Sequence, residues 1–109
     1  MREATSILTQ GEAAHLRLSL ELQAQFGLRR EEAIKFQPSY AIRANRIHLT
    51  PSWTKGGRPR DIPVGNDAQR ELLVRVLRLA GNGSLIPPGR SYAQQRNLYE
   101  RETRAAGIV

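Results

Sequence analysis

The alternation of apolar and polar residues near the start of the chain has two structural interpretations. Residues 15–22 alternate strictly, which taken alone is typical of a half-buried strand. The regular pattern, however, runs from a capping-box spacing at residues 9–12 to about Gln25, which is longer than a strand of about 5–6 residues. The residues at helical spacing are Ala13, Leu16, Leu20 and Ala24, with Leu18 and Leu22 widening the face. We therefore predict a helix that ends at Gly27.

A shorter helix and three strands are predicted in the middle of the chain. The helix covers residues 29–36, and Pro38 prevents its continuation. The predicted strands, which form an antiparallel sheet, are residues 40–43, 46–50 and 59–64. Residues 55–57 are expected at the tip of a tight hairpin. Trp53 is expected to anchor this hairpin to the core, and the alternative is that its ring stacks on a DNA base. Because its prolines cannot donate to a ladder, the sheet must be small and rich in edges.

Two further helices complete the predicted fold. Asn66 is a good N-cap for a helix over residues 67–80, which Gly81 ends. The apolar stripe of this helix consists of Leu72, Leu73, Val76, Leu77 and Ala80. Ser91 caps a final helix over residues 92–106. The predicted fold class is α+β and mostly helical, with about four helices and a small three-stranded antiparallel sheet.

Composition limits the class of protein. With 109 residues the chain is one domain, or part of one, with a modest core. It has no run of about 20 apolar residues and no signal peptide, so we expect a cytoplasmic protein without membrane contact. Cysteine is absent, and His15 and His48 are the only histidines. We therefore expect no disulfide, no metal site and no cofactor.

The net charge of +7 is concentrated in one segment. Residues 29–60 contain eight basic and two acidic residues, a net charge of +6, whereas the other 77 residues sum to +1. A polyanion such as double-stranded DNA is the expected partner of this segment. An arginine-rich surface can also serve only to keep a domain in solution, so the charge alone leaves that alternative open.

Two motifs lie at the ends of this basic segment. Residues 26–33 read Phe-Gly-Leu-Arg-Arg-Glu-Glu-Ala, and residues 53–60 read Trp-Thr-Lys-Gly-Gly-Arg-Pro-Arg. In this order, with the sheet between them, the motifs resemble the first half of the catalytic domain of the tyrosine recombinase (phage integrase) family. The wording is most similar to that of a bacterial prophage-type integrase. The resemblance covers about residues 9–107.

The resemblance implies two catalytic residues. Arg29 matches the arginine of the family's Gly-Leu-Arg-x-x-Glu box, Lys55 matches the lysine of its hairpin, and Glu32 supports Arg29 and its helix. Both residue types suit transesterification at phosphorus, because arginine binds phosphate oxygens through two parallel hydrogen bonds and lysine can release a proton to the departing 5′ oxygen. Of the 17 basic residues only Lys35 and Lys55 are lysines, which favours a special role for the lysine in the turn.

Five further basic residues are candidates for positioning the DNA backbone. They are Arg30, Lys35, Arg43, Arg58 and Arg60. Each of them has an alternative interpretation as a solvated surface charge. Without the resemblance, the charges of residues 29–32 would be ordinary i,i+3 pairs on a helix, and residues 54–57 would be an ordinary solvated turn.

The second half of the family's active site is not found in the sequence. The resemblance would place a His-x-x-Arg box, a second catalytic arginine and a nucleophilic tyrosine after the last helix, and a core-binding domain before the first. Tyr40, Tyr92 and Tyr99 do not match the nucleophile, and the seven-residue spacing of Tyr92 and Tyr99 is typical of core packing. We therefore expect residues 1–109 to be a partial catalytic domain, cut from a longer integrase or left by a truncated prophage gene.

The resemblance implies an activity for the parent protein rather than for this chain. A complete family member is a site-specific recombinase that breaks and rejoins DNA through a tyrosyl-DNA intermediate, as a tetramer on DNA. We expect the 109-residue chain to be monomeric, to bind DNA weakly and not to cleave it. A non-catalytic DNA-binding or regulatory module of a decayed prophage is the alternative. A downstream His-x-x-Arg box and tyrosine in the reading frame would favour the enzyme.

Overall fold

The computed structural model describes residues 10–54, 57–105 and 107, with side chains from residue 13 onward. This part of the chain contains five helices and a three-stranded antiparallel sheet. The helices are α1 (Gln10–Phe26), α2 (Arg30–Lys35), α3 (Pro38–Ala41), α4 (Asp67–Ala80) and α5 (Tyr92–Ala105), and the strands are β1 (Ile42–Arg43), β2 (Arg46–Leu49) and β3 (Arg60–Pro63). The predicted fold class is confirmed.

Helix α1 confirms the helical interpretation of the alternating segment. Leu18, Ser19 and Leu22 are all buried, because positions three and four apart share one face of a helix. The Ser19 hydroxyl donates to the Ala33 carbonyl oxygen at 2.9 Å and joins α1 to α2 inside the core. Ala24 was predicted for the buried face but is exposed, because the buried arc is centred on Ser19 and Leu22.

The ends of the helices carry the predicted capping groups wherever the structure describes them. Gly27 and Gly81 adopt positive φ angles of 68° and 56° at the ends of α1 and α4. The Asn66 side chain accepts a backbone hydrogen bond of 2.8 Å at the start of α4. The Ser91 hydroxyl accepts one of 3.1 Å at the start of α5. The predicted cap of α1, Thr9, lies outside the described residues.

The first predicted strand is wrong over its first half. Tyr40 and Ala41 belong to α3, and only Ile42–Arg43 is extended. Pro38 explains the difference, because proline ends one helix but its fixed φ suits the first turn of another. The backbone N–H of Ala41 donates to the Gln37 carbonyl oxygen at 2.9 Å and closes this single turn.

The sheet has the order β1-β2-β3 and lies with one face on the core. Ile47 and Leu49 are fully buried, whereas His48 between them points to the opposite face, as strand geometry requires. His48 stands directly opposite Asp61 of β3, and its Nδ1 lies 2.6 Å from Asp61 Oδ1. This hydrogen bond lowers the pKa of the Asp61 carboxyl below its ordinary value.

The connection between β2 and β3 is one residue longer at each end than the predicted strand bounds imply. The backbone N–H of Gly57 donates to the Thr54 carbonyl oxygen at 3.2 Å, as in the predicted turn, whereas the tip residues Lys55 and Gly56 lie outside the described residues. The ladder ends at the pair Leu49 and Arg60, so residues 50–59 form the connection. Within it, Pro51–Trp53 form one turn of 3-10 helix, since proline again suits the first position. One large side chain of this connection reaches the core.

Trp53 is the side chain of this connection that enters the core. It is buried, with its ring centroid 5.8 Å from that of Phe36 and 5.7 Å from that of Tyr40. The expectation that Trp53 anchors this segment to the core is confirmed. The buried ring of Trp53 therefore holds the chain against the core directly before the basic residues that follow in the sequence.

Helix α4 packs against α1 and α3. Its buried residues are Leu72, Leu73 and Val76. Leu77 was predicted for the same stripe but is 44% exposed, because α1 and α3 cover a narrower arc of α4 than the sequence pattern suggests. At the rim of this contact Arg75 donates to both carboxylate oxygens of Glu21, at 2.7 and 3.1 Å. The hydrogen bonds from Arg75 to Glu21 raise the pKa of the Arg75 guanidinium.

Helix α5 packs against α2 and buries Tyr99 in a small cluster with Leu16 and Ile34. The core position predicted for Tyr99 is confirmed. Its hydroxyl donates to the side-chain oxygen of Gln23 on α1, and burial raises the pKa of the Tyr99 phenol. None of the described helices is long and apolar enough to cross a membrane.

We expect the free energy of unfolding to fall above about pH 10, partly because of Tyr99. An unfolded tyrosine ionises near its ordinary pKa of about 10, whereas the buried phenol, with its raised pKa, keeps its proton. The unfolded state then binds fewer protons than the folded state, so stability decreases by up to about 1.4 kcal/mol per pH unit. Urea unfolding between about pH 8 and pH 11 tests this on wild type and Tyr99→Phe. The variant should be less stable at the lower pH yet lose less stability above about pH 10, and equal losses would contradict the prediction.

Candidate active site

Glu32 is the centre of the contacts made by the first motif. It lies in the first turn of α2, and its side chain is only 3% exposed. Its Oε1 accepts a hydrogen bond from the backbone N–H of Arg29 at 2.8 Å and another from Arg60 Nη2 at 2.6 Å. A buried carboxylate needs such partners, because burying an unpaired charge is costly. Glu32 therefore ties the residue before α2 and the first residue of β3 to one point.

Arg29 owes its place to the way in which α2 begins. It is the N-cap residue, with an extended backbone of φ −68° and ψ 154°. A glutamate three residues further on can reach back to the N–H of the cap, which is one half of a capping box. The Arg-x-x-Glu spacing of the motif is thus the spacing that this helix start requires. This helix start leaves the Arg29 side chain exposed while the hydrogen bond to Glu32 holds its backbone in place.

A cleft of about 260 Å³ opens between the start of α2 and the end of the β2–β3 connection. Its lining residues are Arg29, Glu32, Gly57, Arg58, Pro59 and Arg60. Three guanidinium groups and one carboxylate give the described part of the lining a net charge of +2. Residues of the two motifs, which are distant in the sequence, therefore meet at one positively charged cleft.

Two of the three arginines at the cleft keep their charge available. Among the described residues, the guanidinium groups of Arg29 and Arg58 have no hydrogen-bond or ion-pair partner, and both residues are exposed. Arg60 differs, because one of its nitrogens is bound to Glu32. A free guanidinium group can donate two parallel hydrogen bonds to a phosphate group. The cleft is therefore chemically suited to a phosphate.

The predicted catalytic lysine cannot be placed directly in the cleft. Lys55 and Gly56 lie outside the described residues, and their nearest described neighbours are Thr54 and Gly57. Gly57 lines the cleft, and a Cβ atom at this position would lie 1.7 Å from Thr54 Oγ1. A larger residue at this position would therefore require the Thr54 side chain to move. Gly57, two residues after Lys55 in the sequence, therefore lies at the cleft.

Three other predicted DNA-binding residues lie away from the cleft. Arg30 Nη1 lies 2.5 Å from Glu100 Oε2 on α5, and Lys35 Nζ lies 2.6 Å from Glu31 Oε2. The Arg43 guanidinium stacks over the tyrosine ring of α3, 4.8 Å from its centroid. Arg30 and Lys35 are thus paired with glutamates, and Arg43 lies over a tyrosine ring. Arg29 and Arg58, by contrast, line the cleft.

None of the three tyrosines lines the cleft. Tyr99 is buried and Tyr92 is half-buried on α5. Tyr40 contacts the rings of His48 and Trp53, with centroid separations of 5.8 and 5.7 Å. In the part of the chain that the structure describes, no group of three or more histidine, aspartate or glutamate side chains could hold a metal ion. The cleft supplies positive charge but no phenol.

Sequence reasoning missed the ion pair between Glu32 and Arg60. The sequence groups Arg60 with the other arginines that could position DNA, but the structure places it against a buried carboxylate. The sequence contained a signal for this, because Arg60 and Ile62 are two residues apart in a predicted strand and therefore share one face. Arg60 and Ile62 are both half-buried, whereas Asp61 and Pro63 are exposed, so Arg60 occupies an inward position of an alternating strand. An inward arginine needs an acidic partner.

Comparison with known proteins identifies the family. A protein-family model described as Integrase matches residues 3–109, nearly the whole chain. The chain belongs to this family, the phage integrases or tyrosine recombinases that its two motifs resemble. Its role is accordingly that of a site-specific integrase or recombinase, a class whose partner is DNA. Searches of curated proteins and of solved structures found no match.

Proposed function

We propose that the cleft between α2 and the β2–β3 connection binds the scissile phosphate of duplex DNA. The observation that carries the proposal is the convergence of Arg29 and Arg58, two exposed arginines without partners among the described residues. In an integrase the anion that such a cleft meets is the DNA backbone. In this proposal Arg29 is the catalytic arginine, Arg58 positions the backbone, and residues 1–109 form part of a recombinase catalytic domain.

The chemistry asked of Arg29 is stabilisation of charge on the non-bridging oxygens of phosphorus. Negative charge on these oxygens must be stabilised while the phosphoryl group is transferred, and a guanidinium group remains protonated throughout. The backbone of Arg29 is already fixed by its hydrogen bond to Glu32. Little backbone freedom is therefore lost when the phosphate binds, and a well-oriented donor is more effective than a mobile one.

Lys55 acts in this proposal as the proton donor to the departing 5′ oxygen. Lysine suits the role because its ammonium group can lose a proton, which a guanidinium group cannot do. The support from the structure is indirect, since Gly57, two residues later, lines the cleft. The family membership supports the same assignment, because the lysine lies in the motif that resembles the family's hairpin.

We also propose that the 109-residue chain binds DNA weakly and does not cleave it. A tyrosyl-DNA intermediate requires a phenol in line with phosphorus, and none of the three tyrosines lines the cleft. The binding is weak because, among the described residues that line the cleft, only Arg29 and Arg58 have guanidinium groups without a partner. A cytoplasmic recombinase of prophage origin, assembled as a tetramer on DNA, is the parent protein in this proposal.

We expect DNA binding that falls steeply with salt and depends on the cleft. Each phosphate contact contributes about 0.9 to the slope of log K against log salt concentration. Arg29→Ala and Arg58→Ala should each lower the affinity at low salt by about 10-fold, because each removes a charge-assisted hydrogen bond. Each should also reduce the salt slope by about one. Fluorescence anisotropy with a labelled duplex at several salt concentrations measures both quantities.

The control for this experiment is Arg78→Ala. Arg78 is an exposed arginine on α4 outside the cleft, so the variant removes the same charge from a different surface. We expect its affinity to stay within about 2-fold of wild type. If Arg78→Ala weakened binding as much as Arg58→Ala, the overall charge rather than the cleft would be the cause. No detectable binding at low salt would refute the proposal altogether.

A further inference from the structure

We infer that Arg60 is a positioning residue for Arg29 and acts through Glu32, rather than being a contact to DNA. The inference rests on the proposed function of the cleft. Its basis is one shared atom, because Glu32 Oε1 accepts the hydrogen bonds of both the Arg29 backbone and the Arg60 side chain, at 2.8 and 2.6 Å. A change that moves Glu32 Oε1 or alters its charge therefore affects both hydrogen bonds.

Removal of Arg60 would leave the Glu32 carboxylate in an unfavourable state. Its side chain is 3% exposed, and an uncompensated buried charge either takes up a proton or moves towards solvent. A protonated carboxyl group is a weaker acceptor, and a displaced one no longer reaches the Arg29 N–H. In both cases the N-cap of α2 loosens. The Arg29 side chain then loses its fixed starting point at the cleft.

The neighbouring Arg58 differs from Arg60 in the properties expected of a residue that binds phosphate. Arg58 is exposed and has no partner among the described residues. The Arg60 side chain is 39% exposed, lies at an inward position of β3 and already neutralises a carboxylate. Arg58 and Arg60 thus line the same cleft, but Arg58 is placed to contact phosphate and Arg60 to position Arg29. They form a matched pair for an experiment.

A double-mutant cycle for DNA binding distinguishes positioning of Arg29 by Arg60 from direct contact of Arg60 with DNA. Arg60→Ala should weaken binding by about 10-fold, as Arg29→Ala does. In the Arg29→Ala background, however, Arg60→Ala should change the affinity by less than about 2-fold, because its effect passes through Arg29. In the Arg58→Ala background the full loss of about 10-fold should remain. Arg60→Lys, which keeps a cation opposite Glu32, should restore most of the affinity.

The same cycle contains the outcome that overturns the inference. If Arg60 contacts a phosphate directly, Arg60→Ala will cost about 10-fold in the Arg29→Ala background too and lower the salt slope by a further 0.9 or so. Simple damage to the fold would lower binding equally in every background, and circular dichroism at the binding temperature detects it. If Arg60→Ala does not fold, Arg60→Gln replaces it. Additive loss for Arg60→Gln in the Arg29→Ala background overturns the inference equally.

Amide hydrogen exchange gives a readout that is independent of DNA. Exchange of the Arg29 N–H should accelerate in Arg60→Ala, because its acceptor is disturbed, and should be unchanged in Arg58→Ala. If Arg29→Ala leaves DNA binding unchanged, the proposed function of the cleft fails, and this measurement alone decides the inference. Unchanged exchange of the Arg29 amide in Arg60→Ala, or in Arg60→Gln where the alanine variant does not fold, would refute it.

Discussion

In a full-length recombinase that carries these residues, Arg29→Ala should slow formation of the covalent tyrosyl-DNA intermediate by about 10²–10³-fold or more. Loss of one preorganised donor to a developing oxyanion typically costs this much, and a cation that bridges phosphate oxygens should cost no less. Arg29 lies at the charged cleft on a backbone held by Glu32. Single-turnover trapping of the covalent complex on a denaturing gel measures the rate.

Two variants make the result for Arg29 specific. Arg43→Ala removes an arginine that stacks on Tyr40 outside the cleft, and its rate should stay within a few-fold of wild type. Arg29→Lys keeps the charge but loses the two parallel hydrogen bonds, so we expect an intermediate rate. Wild-type rates for Arg29→Ala would show that the cleft is not the catalytic phosphate site.

Lys55→Ala should also slow cleavage strongly, and a change of substrate should reverse the defect. General acid catalysis contributes about 10²–10⁴-fold where the leaving group needs a proton. A substrate whose bridging 5′ oxygen is replaced by sulfur has a leaving group that needs none. Lys55→Ala should therefore recover most of the lost rate on the sulfur substrate, in the same single-turnover assay. Arg29→Ala should not recover, because charge on the non-bridging oxygens still has to be stabilised.

The chain offers a matched control for Lys55. Lys35 is the only other lysine, and it is paired with Glu31 on α2 away from the cleft. Lys35→Ala should cleave both substrates at nearly the wild-type rate. If Lys55→Ala stayed equally slow on the sulfur substrate, Lys55 would hold the DNA backbone rather than donate a proton. The acid role would then be wrong even though the family membership stands.

Local signals predicted most of the helices. Asn66 and Gly81 mark the ends of α4 because they satisfy backbone groups that every helix end leaves open, whatever the rest of the protein does. Ser91 does the same for α5. The alternating segment of α1 was assigned as a helix from its length, its capping-box spacing and the helical spacing of four apolar residues, despite the alternation. Such signals act over a few residues and can therefore be read from the sequence.

The sequence predictions differ from the structure at several places. Pro38 both ended α2 and began α3, and the sequence predicted only the first effect. The strands next to the β2–β3 connection were each predicted one residue too long, since residues 50–59 rather than 51–58 form the connection. Leu77 fits the apolar stripe of α4 yet is exposed. The exposure of Leu77 depends on which distant helices cover α4, whereas α3 depends on the second effect of proline, whose fixed φ suits a first helical turn.

For the candidate site, too, the sequence determined some features and the tertiary structure determined others. By itself the sequence determined the class of chemistry, since its two motifs imply an arginine and a lysine in the order of the integrase family, and it determined the Arg-x-x-Glu spacing that caps α2. Only the tertiary structure decided that Arg29 and Arg58 meet at one cleft and that Arg60 is bound to Glu32. The reason is physical, because a motif fixes which groups are present, whereas the free charge of each arginine depends on whether folding brings a carboxylate to it.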